Sequence, residues 1–250
     1  GEYHLVREVI TSKDNTRIKN LRKLHKKKER SKAGRFLIDG EHLVEEAVKF
    51  SQKIHYIIAE ENYTFSFDVT DYEVIYVTEP VLKTLSQLET PQGVMAAVTY
   101  MPPEVSGDKV LVLDDVQDPG NLGSLIRTAD AFGFDRVVIS PETVDPFSDK
   151  VLRSAQGSTF HINLEVTDIH PVIERFNGLS IGTSLRDAEY LEDIPQADEM
   201  LVVLGNEGRG VSVAALEHVD RTVKIHMPGH SESLNVAIAG GILMHHFKAQ

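Results

Sequence analysis

Apolar residues in this chain gather in short runs, and the runs alternate with longer stretches in which apolar and polar positions mix. Short runs rich in Val, Ile and Leu predict strands, and the mixed stretches predict helices. In the first part of the chain, strands are predicted at 36–38, 54–59, 74–77 and 94–98, and helices at 41–50 and 80–88. This order is typical of a small α/β domain.

A second series of runs begins after Pro102 and Pro103, which favour an extended linker. Several of these runs are nearly continuous Val, Ile and Leu, which is typical of strands buried on both faces of a parallel sheet. They lie at 109–114, 136–140, 160–166, 180–183, 201–205 and 222–227, and an apolar helix is predicted at 234–247. We therefore predict an α/β domain at 1–101, a linker at 102–107 and a mainly parallel α/β domain at 108–250.

Composition limits the compartment and the chemistry. The chain has no cysteine, which excludes disulfides and thiolate metal sites. No apolar run approaches the roughly 20 residues needed to span a bilayer, and the first residues lack the pattern of a signal peptide. We expect a cytoplasmic protein without a membrane partner.

The net charge of −12 argues at first against a nucleic-acid partner. Its distribution changes this picture, because residues 13–35 carry many Lys and Arg against only Asp14 and Glu29. Leu21 and Leu24 predict a short amphipathic helix there, with 26–32 as a solvated, mobile end. A solvated helix face explains such a run without any function, and RNA phosphate binding is the alternative. The RNA-contact candidates are Lys19, Arg22, Lys23, Lys26, Lys27, Lys28, Arg30 and Arg35.

Three segments of the second domain combine glycines with polar side chains. They are Asn121-Leu-Gly-Ser-Leu-Ile-Arg127, Leu204-Gly-Asn-Glu-Gly-Arg-Gly210 and Ile225-His-Met-Pro-Gly-His-Ser-Glu-Ser-Leu-Asn235. The first follows a Pro-Gly turn, so Asn121 should lie near a helix start. The second follows a buried strand, and its glycines would allow close backbone approach to a ligand. The third leads into the last helix.

Taken together, the order and spacing of these segments resemble the SpoU branch of the SPOUT methyltransferases, which methylate the ribose 2'-oxygen of RNA. The stretches that begin Phe36-Leu-Ile-Asp-Gly-Glu and Thr90-Pro-Gln-Gly also resemble the amino-terminal substrate-binding domain of many such enzymes, which has a ribosomal-protein-like fold. The resemblance implies a carboxy-terminal trefoil knot, S-adenosylmethionine as cofactor and a homodimer. The two-domain layout is closer to enzymes that act on 23S ribosomal RNA than to the shorter transfer-RNA enzymes.

The same resemblance implies the cofactor contacts. Gly205, Ile225 and Leu234 match the family's main positions, with Thr183, Asn206, Gly208 and Met227 as further candidates. Aliphatic walls and exposed backbone groups suit an adenine ring, which is flat and has polar edges. An ordinary core position is the alternative for Ile225 and Leu234.

Arg127 matches the family's catalytic arginine, and Asn121, Glu207, Ser233 and Asn235 match its polar active-site positions. A guanidinium resists deprotonation in proteins, so we expect Arg127 to clamp a phosphate and to stabilise alkoxide charge, not to act as a base. The proton would then leave through that phosphate or through water. A surface ion pair is the alternative for Arg127.

Lys150 and Arg153 lie in another family-like stretch, where they could face RNA or form part of a solvated helix. His226, His230, His245 and His246 lack nearby acidic or Cys partners at metal-ligand spacing, so no metal site is expected. Three other functions stay open at this point. A dinucleotide-dependent oxidoreductase is disfavoured because Gly205, Gly208 and Gly210 have the wrong spacing. A catalytically silent RNA-binding or ribosome-assembly factor would not need the polar set around Arg127, and a transfer-RNA 2'-O-methyltransferase is the other alternative.

Overall fold

The computed structural model describes residues 7–250. Residues 1–6, on which the expectation of no signal segment partly rests, lie outside this range. The chain forms two compact units, and the division falls between Pro102 and Pro103. The first unit also includes Phe147–Arg153, which the sequence assigned to the second domain. The reason is aromatic packing, because the Phe147 ring lies 4.8 Å from that of Phe36 and 4.7 Å from that of Tyr100.

The first unit contains a mixed five-stranded sheet. Its strands are β1 Val9–Ile10, β2 Arg35–Asp39, β3 Ile54–Glu60, β4 Val74–Val77 and β5 Val94–Thr99, in the order β1-β4-β3-β5-β2. Strand β5 is antiparallel to β2 and β3, and the other neighbours are parallel. The helices are α1 Thr16–Lys23, α2 Lys27–Ala33, α3 Glu41–Lys49 and α4 Glu79–Leu85. The predicted alternation of strands and helices is confirmed.

The basic segment differs from its prediction in one respect. Helix α1 is amphipathic as expected and buries Ile18 and Leu21. Residues 26–32 were predicted to be a solvated, mobile end, but Lys27–Ala33 form α2, which ends at Gly34 in the left-handed conformation with φ 70°. Arg30 is only 5% exposed and donates to the Leu24 carbonyl at 3.0 Å. Its proposed RNA contact is therefore wrong, since the side chain supports the turn between the two helices.

The second unit contains a seven-stranded sheet in which every neighbouring pair is parallel. Its order is β10-β12-β9-β11-β6-β7-β8. The strands are β6 Lys109–Asp114, β7 Arg136–Ile139, β8 Asn163–Val166, β9 Leu179–Thr183, β10 Glu189–Tyr190, β11 Met200–Gly205 and β12 Arg221–Lys224. All residues of β6 and β11 are buried, as predicted from their continuous apolar character.

The remaining helices follow β6 in the chain, and most of α6 belongs to the first unit. They are α5 Pro119–Ala131, α6 Asp149–Ala155, α7 Ile169–Arg175, α8 Val213–Leu216 and α9 Val236–His246, with short 3-10 helices at Ser158–Phe160 and Leu191–Asp193. One core cluster joins Val110, Val112, Leu201 and Val203 of the central strands to Ile173 of α7.

Three predicted boundaries are wrong by a few residues. The strand expected at 160–166 begins at Asn163, and the strand expected at 222–227 ends at Lys224. The last helix begins at Val236 because the Asn235 side chain accepts hydrogen bonds from the backbone N–H groups of the first turn. Ile225, Met227 and Leu234 therefore lie in an irregular loop between β12 and α9.

Among residues 7–250, no helix has the combined length and apolar composition required to cross a lipid bilayer.

Candidate active site

The predicted motifs meet at one edge of the second sheet. Strands β12, β9, β11 and β6 are consecutive parallel neighbours, so their carboxyl ends lie at the same edge. We call this edge the carboxyl edge. Thr183 ends β9 and Gly205 ends β11, while Ile225 follows the last residue of β12. Ligands of open parallel sheets bind outside the carboxyl ends of their strands, so this edge is the candidate site.

Three side chains from the three motifs form a continuous hydrogen-bond network, here called the amide network. Asn235 Nδ2 donates to Asn121 Oδ1 at 3.0 Å, and Asn121 Nδ2 donates to Glu207 Oε2 at 3.3 Å. Asn121 lies in the first turn of α5, Glu207 in the loop after β11, and Asn235 caps α9. The network therefore ties together the starts of two helices and a loop.

Glu207 is held by backbone groups as well. Its carboxylate accepts from Gln117 N at 3.0 Å and from Asp118 N at 2.7 Å, immediately before α5. Burial alone would raise the pKa of Glu207, but the hydrogen bonds from Gln117, Asp118 and Asn121 outweigh it and the net pKa is lowered. The side chain is thus an ionised acceptor that orients the loops. No hydrogen bond or ion pair joins Glu207 to Arg127 within residues 7–250.

Asn206 shapes the loop that carries Glu207. Its Nδ2 donates to the Asp115 carbonyl at 2.9 Å, and its Oδ1 accepts from Gly208 N at 2.9 Å and Arg209 N at 3.0 Å. Its backbone also exchanges two hydrogen bonds with Gly210. The side-chain amide and the backbone of Asn206 are therefore already hydrogen-bonded within the loop. We infer that Asn206 supports the loop, in place of the predicted contact with the cofactor.

Gly205 is required by the loop itself. A Cβ atom at this position would lie 2.2 Å from the backbone carbon of Gly210 and 2.2 Å from the backbone nitrogen of Val211. The sequence interpretation was a close approach to a ligand, but the close approach seen here is to the chain's own backbone. Gly208 is different, since a Cβ atom there would meet only Asn206 Oδ1 at 3.6 Å.

Arg127 is exposed on α5, well beyond the first turn. Within the described part of the chain its guanidinium forms no hydrogen bond or ion pair. The surface ion pair considered above is therefore not formed with any of residues 7–250. Helix α5, which carries Arg127, packs closely against Ser154 at Gly123, where an added Cβ would be 2.3 Å from Ser154 Cβ. Ser154 Oγ also donates to the Gly120 carbonyl at 3.0 Å.

The aliphatic candidates remain accessible. Leu234 is 38% exposed, and Ile225 and Met227 are half-buried. Leu234 is therefore not an ordinary core residue. Thr183 is half-buried, and Ser233 is exposed with its carbonyl accepting from Ser231 Oγ at 2.8 Å. The carboxyl edge thus combines accessible apolar surface with polar loops, which fits a ligand that has a flat aromatic part and polar edges.

The basic candidates belong to the first unit and to the segment grouped with it. Lys150 and Arg153 are exposed, and both belong to the segment grouped with the first unit. Arg153 is paired with Asp149 at 2.8 Å. In the first unit, Lys19, Lys23, Lys26, Lys27 and Lys28 are exposed, whereas Arg22 and Arg35 are half-buried. Within residues 7–250, no group of three or more His, Cys, Asp or Glu side chains is arranged to hold a metal ion.

Comparison with known proteins identifies the family to which the chain belongs. The model of the SpoU rRNA Methylase family matches residues 108–245, and the model of the MRM3-like substrate binding domain matches residues 15–96. The chain belongs to the SpoU rRNA methylase family. It is therefore a methyltransferase, S-adenosylmethionine is its methyl donor, and the oxidoreductase alternative is wrong.

Relatives of this SpoU methylase match it over almost its whole length. It is 41% identical to the 23S rRNA (guanosine(2553)-2'-O)-methyltransferase RlmP of Bacillus subtilis, over 96% of this chain and 98% of the relative. The AdoMet-bound structure of an rRNA methyltransferase from Sinorhizobium meliloti is 30% identical, covers 96% of both chains and has a TM-score of 0.83. A solved RNA 2'-O ribose methyltransferase is 27% identical, with coverage of 96% and 97% and a TM-score of 0.79. The predicted fold class is confirmed, and the trefoil knot stays a prediction.

Sequence reasoning missed several residues of this SpoU site. Gln117 and Asp118 supply the N–H groups that hold Glu207, and Asp118 also caps α5. Asp115 adopts a φ of 63°, which is rare outside glycine, and pairs with Arg209. The Asp118-Pro119 pair could have been found, because Asp at the cap followed by Pro at the first helical position marks a helix start. The conformation of Asp115 had no sequence signal.

Proposed function

We propose that this protein methylates the ribose 2'-hydroxyl of a nucleotide in ribosomal RNA, and that it acts as a homodimer. The observation that carries the proposal is the amide network of Glu207, Asn121 and Asn235 at the carboxyl edge. Helix α5, which carries Asn121, also carries Arg127, whose guanidinium has no hydrogen-bond or ion-pair partner within residues 7–250. The name of the Bacillus subtilis relative supports 23S ribosomal RNA as the substrate.

The residues at the carboxyl edge fit S-adenosylmethionine, which supplies a methyl group activated by a sulfonium. Ile225, Met227 and Leu234 would hold the adenine by their accessible aliphatic surfaces. The Cβ position of Gly208 is crowded by no atom nearer than Asn206 Oδ1 at 3.6 Å within residues 7–250, so the cofactor could approach the backbone closely there. Gly205 would then contact the cofactor through its backbone, and Thr183 would contact it through its hydroxyl at the end of β9.

The two asparagines act as fixed donors in this scheme. Asn235 Oδ1 already accepts from Ala237 N and Ile238 N, and Asn121 Oδ1 accepts from Asn235. Each amide nitrogen has two hydrogens and uses one within the network, so each has one left for an RNA oxygen. Neither can take a proton. The proton of the 2'-hydroxyl therefore has to leave through another acceptor, such as a phosphate oxygen or water.

Arg127 fits the role of a clamp. A guanidinium keeps its charge, presents a planar fork to phosphate oxygens and here has no competing partner among residues 7–250. Its charge would also stabilise the developing alkoxide. Ser233, in the loop that leads to α9, would contact the ribose or its neighbours.

The basic face of the first unit would bind RNA phosphates. Lys19, Lys23, Lys26, Lys27 and Lys28 are exposed there, and the match to a substrate-binding domain covers all of them. Counterion release makes such contacts strongly dependent on salt. Arg22, Arg35, Lys150 and Arg153 stay predicted contacts.

Helix α9 would provide the dimer contact. Ile238 and Ile242 lie one helical turn apart on α9 and are 57% and 37% exposed. The opposite side of α9 is buried, since a Cβ atom at Gly240 would lie 2.5 Å from Leu125 and 2.7 Å from Leu204. An exposed apolar stripe of this kind is typical of a protein interface.

Transfer of tritium from labelled S-adenosylmethionine into RNA tests the proposal. We expect label in a 23S ribosomal RNA transcript, on a ribose 2'-oxygen located by mapping the resistant phosphodiester bond. A transfer-RNA transcript run in parallel tests the alternative substrate. Cofactor binding without transfer into either RNA, or into total RNA from cells lacking the gene, would contradict the enzyme assignment.

A further inference from the structure

The first unit has a cavity of about 350 Å³ between helices α1 and α2 and the sheet. Its floor is apolar and lies over β3 and β5, where Tyr56 and Ala97 are direct partners across the strands. Leu21 and Leu24 complete the floor. Its rim is polar and consists of Asn20, Lys23, Glu29, Lys32 and Arg35, with Ala33 beside them.

The three cationic side chains on this rim have no partners among the residues that the structure describes, whereas two other arginines of the basic segment do. Arg17 is paired with Glu73 at 2.8 Å, and Arg22 donates to Thr84 Oγ1 at 3.0 Å. By contrast, the side chains of Lys23, Lys32 and Arg35 form no hydrogen bond or ion pair within residues 7–250. Three free cations against the single carboxylate of Glu29 make this rim positive. A ligand with negative charge would neutralise it.

The floor selects among anionic ligands. Tyr56 is 8% exposed and presents part of its aromatic side chain to the cavity, next to the wholly buried Ala97. A flat apolar ring covers such a floor well, and stacking on an aromatic side chain is a common way to bind an unpaired base. Asn20 and Glu29 offer hydrogen-bond partners to the edge of a base. The volume is within the range of small-molecule sites.

We propose that this cavity holds one unpaired nucleotide of the substrate RNA. The base would lie over Tyr56, and its flanking phosphates would contact Lys23, Lys32 and Arg35. This inference rests on the proposed RNA methylation and deepens it. The protein would recognise a second nucleotide of the RNA in addition to the one that it methylates. It also separates a shaped binding site from the general attraction of a basic surface.

The sharpest test fills the cavity without changing charge. Ala33 is exposed and borders the cavity, so Ala33→Trp should block it, whereas Ser31→Trp places the same side chain on the same helix away from the cavity. With a 23S ribosomal RNA transcript we expect Ala33→Trp to weaken binding by at least about tenfold, on the scale of one lost stacked base. Ser31→Trp should stay within about twofold of the unaltered protein.

A second pair of variants tests the charges. The triple change Lys23→Gln, Lys32→Gln, Arg35→Gln removes three rim cations, and Lys19→Gln, Lys27→Gln, Lys28→Gln removes three exposed cations that do not line the cavity. The rim set should lower RNA affinity about tenfold more than the surface set. S-adenosylmethionine affinity and thermal unfolding, measured for every variant, identify any change that simply unfolds the protein.

The outcomes are distinct. Equal losses from the two tryptophan variants, or from the two charge sets, would overturn the cavity and leave only a basic surface. Normal RNA affinity in Ala33→Trp would overturn it while leaving RNA methylation intact. A perfectly paired RNA duplex, which offers no free base, should not distinguish Ala33→Trp from Ser31→Trp, and a difference there would also count against the proposal. An unaltered protein that neither binds nor methylates RNA would overturn the proposed function together with this inference.

Discussion

Asn235 Nδ2 lies 3.0 Å from Asn121 Oδ1 although 114 positions separate the two residues in the chain. Asn235 caps α9, so this contact joins the last helix directly to the first turn of α5. Asn235 therefore has two separable functions, one in helix capping through Oδ1 and one in the amide network through Nδ2. This division makes a specific substitution informative.

Asn235→Asp should keep the cap and lose the network. A carboxylate still accepts from Ala237 N and Ile238 N, but it cannot donate to Asn121 Oδ1. We expect nearly unchanged thermal unfolding and a loss of about 100-fold in single-turnover methyl transfer, the scale of one deleted active-site donor. Asn235→Ala is the comparison, because it should also lower stability by about 1 kcal/mol through loss of the cap. A fully active Asn235→Asp enzyme would remove the network from the mechanism.

Arg127→Ala and Arg127→Lys should both lose at least about 100-fold in methyl transfer. Lysine keeps the charge but lacks the planar fork, so a bidentate clamp predicts a loss in both variants. Stability and cofactor affinity should not change, because the guanidinium has no partner among residues 7–250. Arg175→Ala, at an exposed arginine of α7, is the control. Near-normal single-turnover transfer in folded Arg127→Ala would leave Arg127 as an ordinary surface residue.

The lowered pKa of Glu207 predicts how its contribution depends on pH. A carboxyl group whose pKa is lower in the folded state stabilises the fold above its unfolded pKa, and this stabilisation is lost as pH falls through the folded pKa. The difference in unfolding free energy between the native protein and Glu207→Gln should therefore be largest near neutral pH and shrink below the ordinary glutamate value of 4.5. Denaturant unfolding over this range measures it. A difference that grows on acidification would contradict the assignment.

The sequence predicted an element correctly where interactions between residues close in the chain determine it, and it failed where contacts between separate elements do. The strand at 109–114 was predicted with its observed bounds, because its apolar run is uninterrupted and ends at a cluster of acidic residues. Residues 26–32 were predicted to be mobile because their charges are the only local signal. The burial of Arg30 against the Leu24 carbonyl depends on the turn between two helices, which no local pattern shows.

The candidate site shows the same limit. Asn121, Glu207 and Asn235 were identified through the family resemblance, and the structure joins them. The reason for Gly205 was not predictable, because its neighbours are Gly210 and Val211 in a loop whose path is set by the Asn206 side chain. A glycine in a sequence shows that space is needed but not which atoms occupy it.

The two loop glycines therefore make a matched pair. Gly205→Ala would place Cβ 2.2 Å from backbone atoms of Gly210 and Val211, so the loop must shift. We expect a lower unfolding temperature and loss of S-adenosylmethionine binding, since Glu207 would move with the loop. In Gly208→Ala the added Cβ would make only an ordinary contact with Asn206 Oδ1 at 3.6 Å, so stability should be kept. Any loss of cofactor affinity in this variant would indicate close approach of the cofactor. Calorimetry and titration measure both properties, and native-like stability in Gly205→Ala would show that the packing argument is wrong.

The exposed stripe on α9 gives the last prediction. Ile238 is 57% exposed, and a charged side chain there would face an apolar partner surface if two copies associate through this helix. If the proposed homodimer forms through this helix, we expect Ile238→Glu to convert it to a monomer in light scattering coupled to size-exclusion chromatography, with little change in unfolding temperature at low protein concentration. Val213→Glu is the control, because Val213 is 74% exposed on another helix and carries the same change in charge. A dimer that survives Ile238→Glu, or one that is lost equally in Val213→Glu, would place the contact elsewhere on the second unit.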